Sequence, residues 1–269
     1  MALTRFLLLF SFICILLAAQ SQTVVGFQAS SFTREGDDYY DNWGIFRTYY
    51  AGPRGFLPHL ATETLDENKE LAYSIGESFQ ANYLIETDRA VAILKYVQTW
   101  TDYGYDSDNV IRDGEYQEEW AWNADEMAHA FDETRGITAI GDCEDMAFLC
   151  GTIYVGAGFD AAIVDAPGHA ALVIWLPEFS NANSYWDLPN DGRDAGWIWV
   201  EATGGSNPLG WTPPDFEDGG WTAYPIGDLD FEVAPTQTTS PSIDIGFLLA
   251  IIAIIFSIIF GIAKRVGRR

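Results

Sequence analysis

Residues 141–176 combine an apolar stretch of helical spacing with two short apolar runs that follow it directly. Asp142 suits the N-cap of the helix, acidic residues follow in its first turn, and glycines end it. The two runs, 160–165 and 169–176, are rich in Ala, Val, Ile and Leu and are separated by a Pro-Gly turn. A helix followed by antiparallel strands predicts an α+β fold.

Segments on both sides fit this fold class. The apolar spacing within 65–101 predicts one or two helices, and 121–131 predicts a short one. Residues 197–203, Trp-Ile-Trp-Val-Glu-Ala-Thr, predict a further strand. Residues 23–60 are rich in aromatic residues, Gly and Pro, and we expect them to be irregular.

Two cysteines lie in the part of the chain that is expected to fold. Cys143 and Cys150 are seven positions apart on the predicted helix, so their Cα atoms would be about 10 Å apart. A disulfide needs less than about 7 Å, which predicts two free thiols. We expect Cys150 to be a core residue. Cys143 begins the helix, where unpaired N–H groups and the dipole favour a thiolate, whereas Asp142, Glu144 and Asp145 oppose it.

An imidazole and a carboxylate stand on the strands that follow. His169 opens the second strand of the pair, and Glu201 lies in the later aromatic strand. A thiol, an imidazole and a carboxylate serve acyl transfer through a thioester as nucleophile, general base and orienting group. Each residue also has a structural interpretation: Cys143 as a core residue, His169 as a satisfied strand histidine, and Glu201 as an outward-facing strand residue.

Three motifs together resemble the transglutaminase-like superfamily. They are Gly-Asp-Cys-Glu-Asp at 141–145 before an apolar helix, Gly-His at 168–169 before a strand, and Trp-Val-Glu-Ala-Thr at 199–203. The resemblance covers about residues 85–205. It implies a papain-like core in which the helix that bears the nucleophile packs on an antiparallel sheet.

The resemblance also implies roles for single residues. Cys143 would be the nucleophile, His169 the base and Glu201 the orienting acid, where the superfamily usually has Asp. For the oxyanion hole, the Cys143 N–H is one natural donor, and a side-chain N–H could come from Trp122, our candidate, or from Gln98. Trp122 also fits a core position.

The resemblance implies attack on an amide or peptide carbonyl of a protein or peptide substrate. The acceptor could be water, giving a peptidase or amidase, or an amine, giving a cross-linking enzyme. Hydrolysis is the favoured prediction, because many microbial members of the superfamily are thought to be proteases. The alternative function is a binding module that keeps the fold without useful turnover.

The two ends of the chain are apolar. Arg5 precedes the apolar run 6–19, which predicts a signal peptide over residues 1–22, with an uncleaved anchor as the alternative. Residues 245–263 contain 19 residues without a charge and predict a transmembrane helix. The basic residues within 264–269 would then be cytoplasmic.

These ends define a domain organisation. We expect an N-terminal extension over 23–84, a transglutaminase-like domain over 85–233 and a flexible stalk over 234–244. The chain would be a single-pass membrane protein whose folded part lies outside the cell. The sequence does not indicate an oligomeric state.

Charge and motifs exclude several other functions. The formal net charge of -25 argues against nucleic acid as a partner. His59, His129 and His169 have no zinc-ligand spacing, and neither a metal nor another cofactor is expected. The acidic stretch 106–115 lacks the glycine placement of an EF-hand and is interpreted as a solvated loop, with a surface calcium site as the alternative.

Overall fold

The computed structural model describes residues 31–50, 52, 54–63, 70–188, 191–227 and 236–238. The helices are α1 (Phe56–Glu63), α2 (Glu70–Asn82), α3 (Glu86–Trp100), α4 (Asp106–Asn109), α5 (Ala124–Ala130) and α6 (Cys143–Gly156). The strands are β1 (Thr33–Glu35), β2 (Asp38–Tyr40), β3 (Thr101–Tyr103), β4 (Ile111–Arg112), β5 (Glu115–Tyr116), β6 (Ala139–Gly141), β7 (Ala161–Ala166), β8 (His169–Trp175), β9 (Tyr185–Asp187), β10 (Trp197–Val200), β11 (Thr222–Pro225) and β12 (Thr236–Thr238). A 3₁₀ turn spans Pro214–Phe216.

The main sheet has six strands in the order β11-β7-β8-β10-β9-β12, and every neighbouring pair is antiparallel. The predicted pair of strands is present as β7 and β8, joined at the pairing of Ala166 with His169. Gly168 in the connecting turn has φ 69°, a left-handed value that glycine adopts without strain. The predicted α+β class is confirmed.

Helix α6 packs against this sheet, on β7 and β8. Almost all of its residues are buried, and Asp142 is its N-cap as predicted. Helix α2 crosses it closely, because a Cβ atom at Gly156 would lie only 2.3 Å from the carbonyl oxygen of Tyr73. The helices predicted within 65–101 and 121–131 are also confirmed, as α2, α3 and α5.

Both faces of the sheet are buried. The face towards the helices carries one large apolar cluster that includes Ile163, Leu172 and Ile198. The other face carries a second cluster with four fully or nearly fully buried indoles, and these belong to Trp186, Trp197, Trp199 and Trp221. Burial on both faces explains why the strands read as continuous apolar runs rather than as an alternating pattern.

The expected N-terminal extension does not form a separate unit. Leu57 and Leu60 of α1 and Ala72 of α2 belong to the same cluster as α6. Residues 23–60 are also less irregular than expected, since they contain β1, β2 and the start of α1. These elements are too short for their periodicity to be recognised from the sequence. Contact with α6 stabilises α1, whereas Tyr39 of β2 packs with Val110 and Trp120.

The expectation of a single-pass membrane protein is corrected. Within the described residues, no helix is both long enough and apolar enough to cross a bilayer. Helix α3 has 15 residues and spans about 22 Å, short of the roughly 30 Å of a bilayer core. The predicted signal peptide (1–22), transmembrane helix (245–263) and basic tail (264–269) lie outside the described residues.

Two predicted loops contain regular structure. Residues 236–238 of the expected stalk form β12, which pairs with β9 at the edge of the sheet. The acidic stretch 106–115 contains α4 and the β4–β5 hairpin, and Asp106 is buried rather than solvated. Its Oδ2 accepts a hydrogen bond from the backbone N–H of Trp120 at 2.6 Å, which fixes this carboxylate inside the fold.

Candidate active site

Cys143 is the first residue of α6, at the edge of the core. Its side chain is half-buried, and the sulfur lies 3.3 Å from Oε2 of Glu144. The thiol also lies beside His169, and this interaction raises the pKa of the imidazole. At the first helical position its backbone N–H has no carbonyl partner within the helix, so that group is available to an incoming oxyanion.

Cys150 is a core residue, as predicted. Both cysteines are free thiols, and Cys150 is fully buried about two turns further along α6. Burial raises the pKa of the Cys150 thiol far above its usual value. Cys150 is therefore an unreactive internal reference for Cys143.

His169 is placed by the antiparallel pairing of β8 with β10. It is the first residue of β8, and the C-terminal end of β10 lies beside the N-terminal end of β8. Its Nε2 atom is 2.9 Å from Oε2 of Glu201. Because Nε2 is bonded to the carboxylate, Nδ1 is the ring nitrogen left for the Cys143 thiol.

The environment of His169 favours the imidazolium. Burial alone would lower the pKa of this side chain, but hydrogen bonds to Cys143 and Glu201 and their negative charges raise it to about 10. The pair formed by His169 and Glu201 is thus a charge-assisted hydrogen bond. A histidine held in this way can keep a proton close to the sulfur and return it to a leaving group.

Glu201 follows directly after β10, rather than lying within the strand as expected. Its carboxylate is only 3% exposed and accepts hydrogen bonds on both oxygens. Oε1 accepts from the backbone N–H and the hydroxyl of Thr203, and Oε2 accepts from Nε1 of Trp199 at 3.3 Å as well as from His169. Burial alone would raise the pKa of Glu201, but the hydrogen bonds from His169 and Thr203 lower it.

The two side-chain candidates for the oxyanion hole have different surroundings. Nε2 of Gln98 donates to the backbone carbonyls of Glu201 (3.2 Å) and Asn207 (3.0 Å), so both of its N–H groups are used. Gln98 therefore supports the position of Glu201. The ring of Trp122 packs edge-on against Trp120, with centroids 5.8 Å apart. The oxyanion role of Trp122 stays a prediction.

Aromatic rings cover one side of His169. The ring of Phe216 stacks on the imidazole with centroids 5.6 Å apart and planes 8° apart. The same ring stacks on Trp199 at 5.5 Å and 13°. Phe216 comes from the 3₁₀ turn, a segment that no sequence motif connects to the site. It excludes water from the bond between His169 and Glu201 on that side.

Tyr50 is a second residue of the site that the motifs do not reveal. Its hydroxyl is buried and has no hydrogen-bond partner among the described residues. Burial raises the pKa of Tyr50 strongly, and the negative charges of Cys143 and Asp165 add to this effect. A buried O–H donor near the thiol is a useful group for a developing oxyanion. The three sequence motifs do not include Tyr50, because it lies in the N-terminal segment.

Carboxylates surround the start of α6 on its other side. Asp106, Glu119, Asp142, Glu144 and Asp145 approach one another there in overlapping groups of three. No zinc-type group of histidines occurs among the described residues. The carboxylates are the residues that could hold a metal ion near Cys143.

The structure brings together the thiol, the imidazole and the carboxylate that the sequence singles out. This set of groups is the one that nucleophilic catalysis through a thioester requires. Comparisons with protein-family models, with curated proteins and with solved structures gave no match. The arrangement of these side chains is therefore the basis for a functional assignment.

Proposed function

We propose that the chain is a transglutaminase-like cysteine enzyme with a papain-like core that acts on amide or peptide bonds. Cys143 is the nucleophile, His169 the general base and acid, and Glu201 the residue that orients the imidazole. The observation that carries this proposal is the bonding of His169, which contacts Cys143 and lies 2.9 Å from Glu201. The extra methylene of Glu201, compared with the usual Asp, is compatible with that distance.

The reaction proceeds in two halves. In the first, the thiol proton already resides on His169 as a thiolate–imidazolium pair, the thiolate attacks the carbonyl carbon, and the C–N bond breaks as the imidazolium protonates the leaving amine. The acyl group then remains on Cys143 as a thioester. In the second, His169 removes a proton from water, the hydroxide adds to the thioester, and the thiol leaves with that proton.

Water is the favoured acceptor over an amine. Cys143 is only half-buried, which favours access of solvent to the site. An amine acceptor competes best where a closed site excludes water. The proposed class is therefore a peptidase or amidase whose substrate is a protein or peptide.

The proposal is tested first by the reactivity of Cys143. The full-length protein is treated with iodoacetamide between pH 6 and 9, and the alkylated peptides are quantified. We expect Cys143 to react at least about tenfold faster than Cys150. His169→Ala should remove most of this difference, whereas His59→Ala, which changes an exposed histidine on α1, should leave it unchanged.

Turnover is tested with a glutamine-containing peptide and a fluorescent primary amine. New peptide termini or release of ammonia indicates hydrolysis, and incorporation of the amine indicates cross-linking. Cys143→Ser should abolish either product, and Cys150→Ser should not. The proposal would be overturned if, in the folded protein, iodoacetamide alkylates Cys143 no faster than Cys150.

A second candidate function is a binding module without useful turnover. The contact between the Cys143 sulfur and Glu144 Oε2 favours it, because a nearby carboxylate opposes formation of a thiolate. For such a module, alkylation of Cys143 would be slow and independent of His169.

A further inference from the structure

Three large apolar side chains are exposed next to one another close to the candidate active site. Tyr103 ends β3, Tyr105 lies two residues further along the chain, and Ile140 is the central residue of β6. Their exposed fractions are 46%, 62% and 49%, respectively. Single exposed apolar side chains are ordinary on a protein surface, whereas a contiguous group of them indicates an interaction site. These three residues form the tyrosine patch.

Contacts between β3 and β6 hold the tyrosine patch together. The rings of Tyr103 and Tyr105 are perpendicular, with centroids 5.5 Å apart. Ile140 packs over the residue between them, because a Cβ atom at Gly104 would lie 2.5 Å from Cγ2 of Ile140. Two perpendicular rings beside an aliphatic side chain suit a third ring, since aromatic rings prefer edge-to-face and offset packing. The patch therefore fits an aromatic side chain better than a small one.

Strand β6 connects the tyrosine patch directly to the nucleophile. The backbone N–H of Gly104 donates to the carbonyl oxygen of Gly141 at 3.0 Å, and α6 begins two residues later with Cys143. Burial raises the pKa of Tyr103, and the negative charge of Cys143 adds to this effect. The phenol therefore lies within electrostatic reach of the sulfur. A side chain bound in the patch belongs to a residue next to the bond that Cys143 attacks.

The charge around the tyrosine patch disfavours an acidic ligand. Asp102 and Asp108 flank the two tyrosines in the chain, and both are exposed. Neither Lys nor Arg occurs within 96–111 or 136–192, the segments that contain the patch and Cys143. The whole chain has a formal net charge of -25. A peptide with acidic residues beside its apolar side chain is repelled by such a surface, whereas a neutral or basic peptide is not.

We propose that the tyrosine patch is the substrate subsite for a large apolar side chain, preferably an aromatic one, in a peptide whose neighbouring residues are neutral or basic. The ring of Tyr103 is the wall nearest the sulfur, Tyr105 is the second wall, and Ile140 is the floor. Binding removes the apolar surface of all three side chains from water. This inference rests on the proposed function, because it names the substrate class of the same thiol.

The preference is measured by turnover of short peptides by the full-length protein. One peptide has Phe directly before Gln (acetyl-Gly-Phe-Gln-Gly-Lys), a second has Phe directly after it, and each has a counterpart with Ala in place of Phe. The better Phe peptide should exceed its Ala counterpart in kcat/KM by about tenfold or more. Tyr103→Ala and Tyr105→Ala should each reduce this ratio towards one. Tyr103→Phe keeps the ring and should retain most of the preference.

Binding without turnover separates this inference from the proposed function. Cys143→Ala cannot form a thioester, and fluorescence anisotropy of labelled peptides measures their affinity for this variant. The Phe peptide should bind about tenfold more tightly than its Ala counterpart, and Tyr103→Ala in the same background should remove the difference. Replacing the Lys of the peptide by Glu should weaken binding, with a smaller effect at high salt.

A matched control distinguishes the patch from exposed tyrosines in general. Tyr83 is 41% exposed, similar to Tyr103, and lies before the start of α3, whereas β3 follows its end. The 15 residues of α3 span about 22 Å, so Tyr83 is remote from the patch. Tyr83→Ala should keep the preference for the Phe peptide. Thermal unfolding of all variants confirms that they are compared in the folded state.

The possible results assign failure to one proposal or the other. Turnover of the Phe and Ala peptides with equal kcat/KM would overturn the subsite and leave the proposed function in place. The subsite would also be overturned if Tyr103→Ala and Tyr105→Ala keep the preference, or if Tyr83→Ala loses it equally. No turnover of any peptide, together with an aromatic preference in binding that depends on Tyr103, would overturn the proposed function and leave the patch as a peptide-binding surface.

Discussion

Nε2 of His169 lies 2.9 Å from Oε2 of Glu201, and the two residues stand at adjacent ends of antiparallel strands. Glu has one methylene more than Asp. The contact is still possible because Glu201 begins the chain segment after β10 and is not constrained by the hydrogen bonds between the strands. Thr203 then fixes the second carboxylate oxygen. The result is an imidazole whose Nδ1 is free to face the thiol.

Glu201→Gln should reduce the reactivity of Cys143 by about tenfold or more. Thr203 donates two hydrogen bonds to Oε1, so the carbonyl oxygen of the glutamine must stay there. Its NH₂ group then faces Nε2 of His169 and selects the tautomer with a proton on Nδ1, which cannot accept from the thiol.

The measurement for Glu201→Gln is the rate of iodoacetamide alkylation of Cys143 at pH 7. Glu178→Gln, a change at an exposed residue, is the control. Equal rates for Glu201→Gln and the unmodified protein would show that the carboxylate does not orient the base.

The pH dependence of stability should reveal the charge of His169. Its folded-state pKa is raised to about 10, whereas an unfolded histidine titrates near 6.5. The native state therefore binds the extra proton, and this contribution is complete below about pH 6.5 and lost as the pH rises towards about 10. The charged groups that face the ring are Cys143, Asp142 and Glu201.

The measurement is the free energy of unfolding of the unmodified protein and of His169→Gln. The stability advantage of the unmodified protein should be larger at pH 6.5 than at pH 10. A difference that stays constant over this range would contradict the raised pKa.

The positions of Cys143, His169 and Glu201 at the ends of regular elements are the part of the site that local sequence patterns indicate. Cys143 follows an N-cap at the start of an apolar helix, and His169 follows a Pro-Gly turn, so local patterns place both. Glu201 follows an apolar, aromatic run. A carboxylate is unusual in such a run, and it therefore indicates a specific role. Local rules suffice because each residue lies at the end of a regular element.

The remaining parts of the site depend on contacts between distant segments. Tyr50, Glu119 and Phe216 come from loops or a 3₁₀ turn, whose positions are set by tertiary packing rather than by periodicity. The same is true of α1, which is short and buries Leu57 and Leu60 in one apolar cluster with α6. Its inclusion in that core is a property of the whole chain.

Arg47 should be essential for docking the N-terminal segment. Its side chain is fully buried and lies 2.9 Å from both Asp41 Oδ2 and Glu126 Oε2. Arg47→Met leaves two carboxylates buried without their cation, and we expect a loss of about 3–5 kcal/mol in the free energy of unfolding.

Chemical denaturation measures the effect of Arg47→Met. Arg135→Met is the control, because it breaks an ion pair with Asp132 whose arginine is largely exposed, and little change is expected. Similar losses for the two variants would argue against a special role of the buried pair.

Gly156→Ala should destabilise the protein although alanine favours a helix. The new Cβ atom would lie 2.3 Å from the carbonyl oxygen of Tyr73, which is backbone and cannot rotate away. Helices α2 and α6 must then separate, at a cost of about 1–3 kcal/mol or more, which exceeds the gain of up to about 1 kcal/mol in helix propensity.

Thermal and urea unfolding measure this cost, with Gly205→Ala as the control. A Cβ atom at Gly205 would meet no atom within 4 Å. A higher unfolding temperature for Gly156→Ala would contradict the close approach of α2 and α6.

Phe216→Ala should weaken the site by exposing the bond between His169 and Glu201 to water. The Phe216 ring is parallel to the imidazole within 8° and also stacks on Trp199, so its removal opens one whole side of the pair. Water raises the local dielectric and competes for the carboxylate, and the pKa of His169 should therefore fall from about 10 towards its usual value. The readout is the pH profile of Cys143 alkylation together with the histidine titration followed by NMR. Phe216→Leu keeps an apolar cover and should retain most of the raised pKa of His169. If Phe216→Ala lowers stability but leaves the alkylation profile and the histidine titration unaltered, Phe216 is a packing residue only.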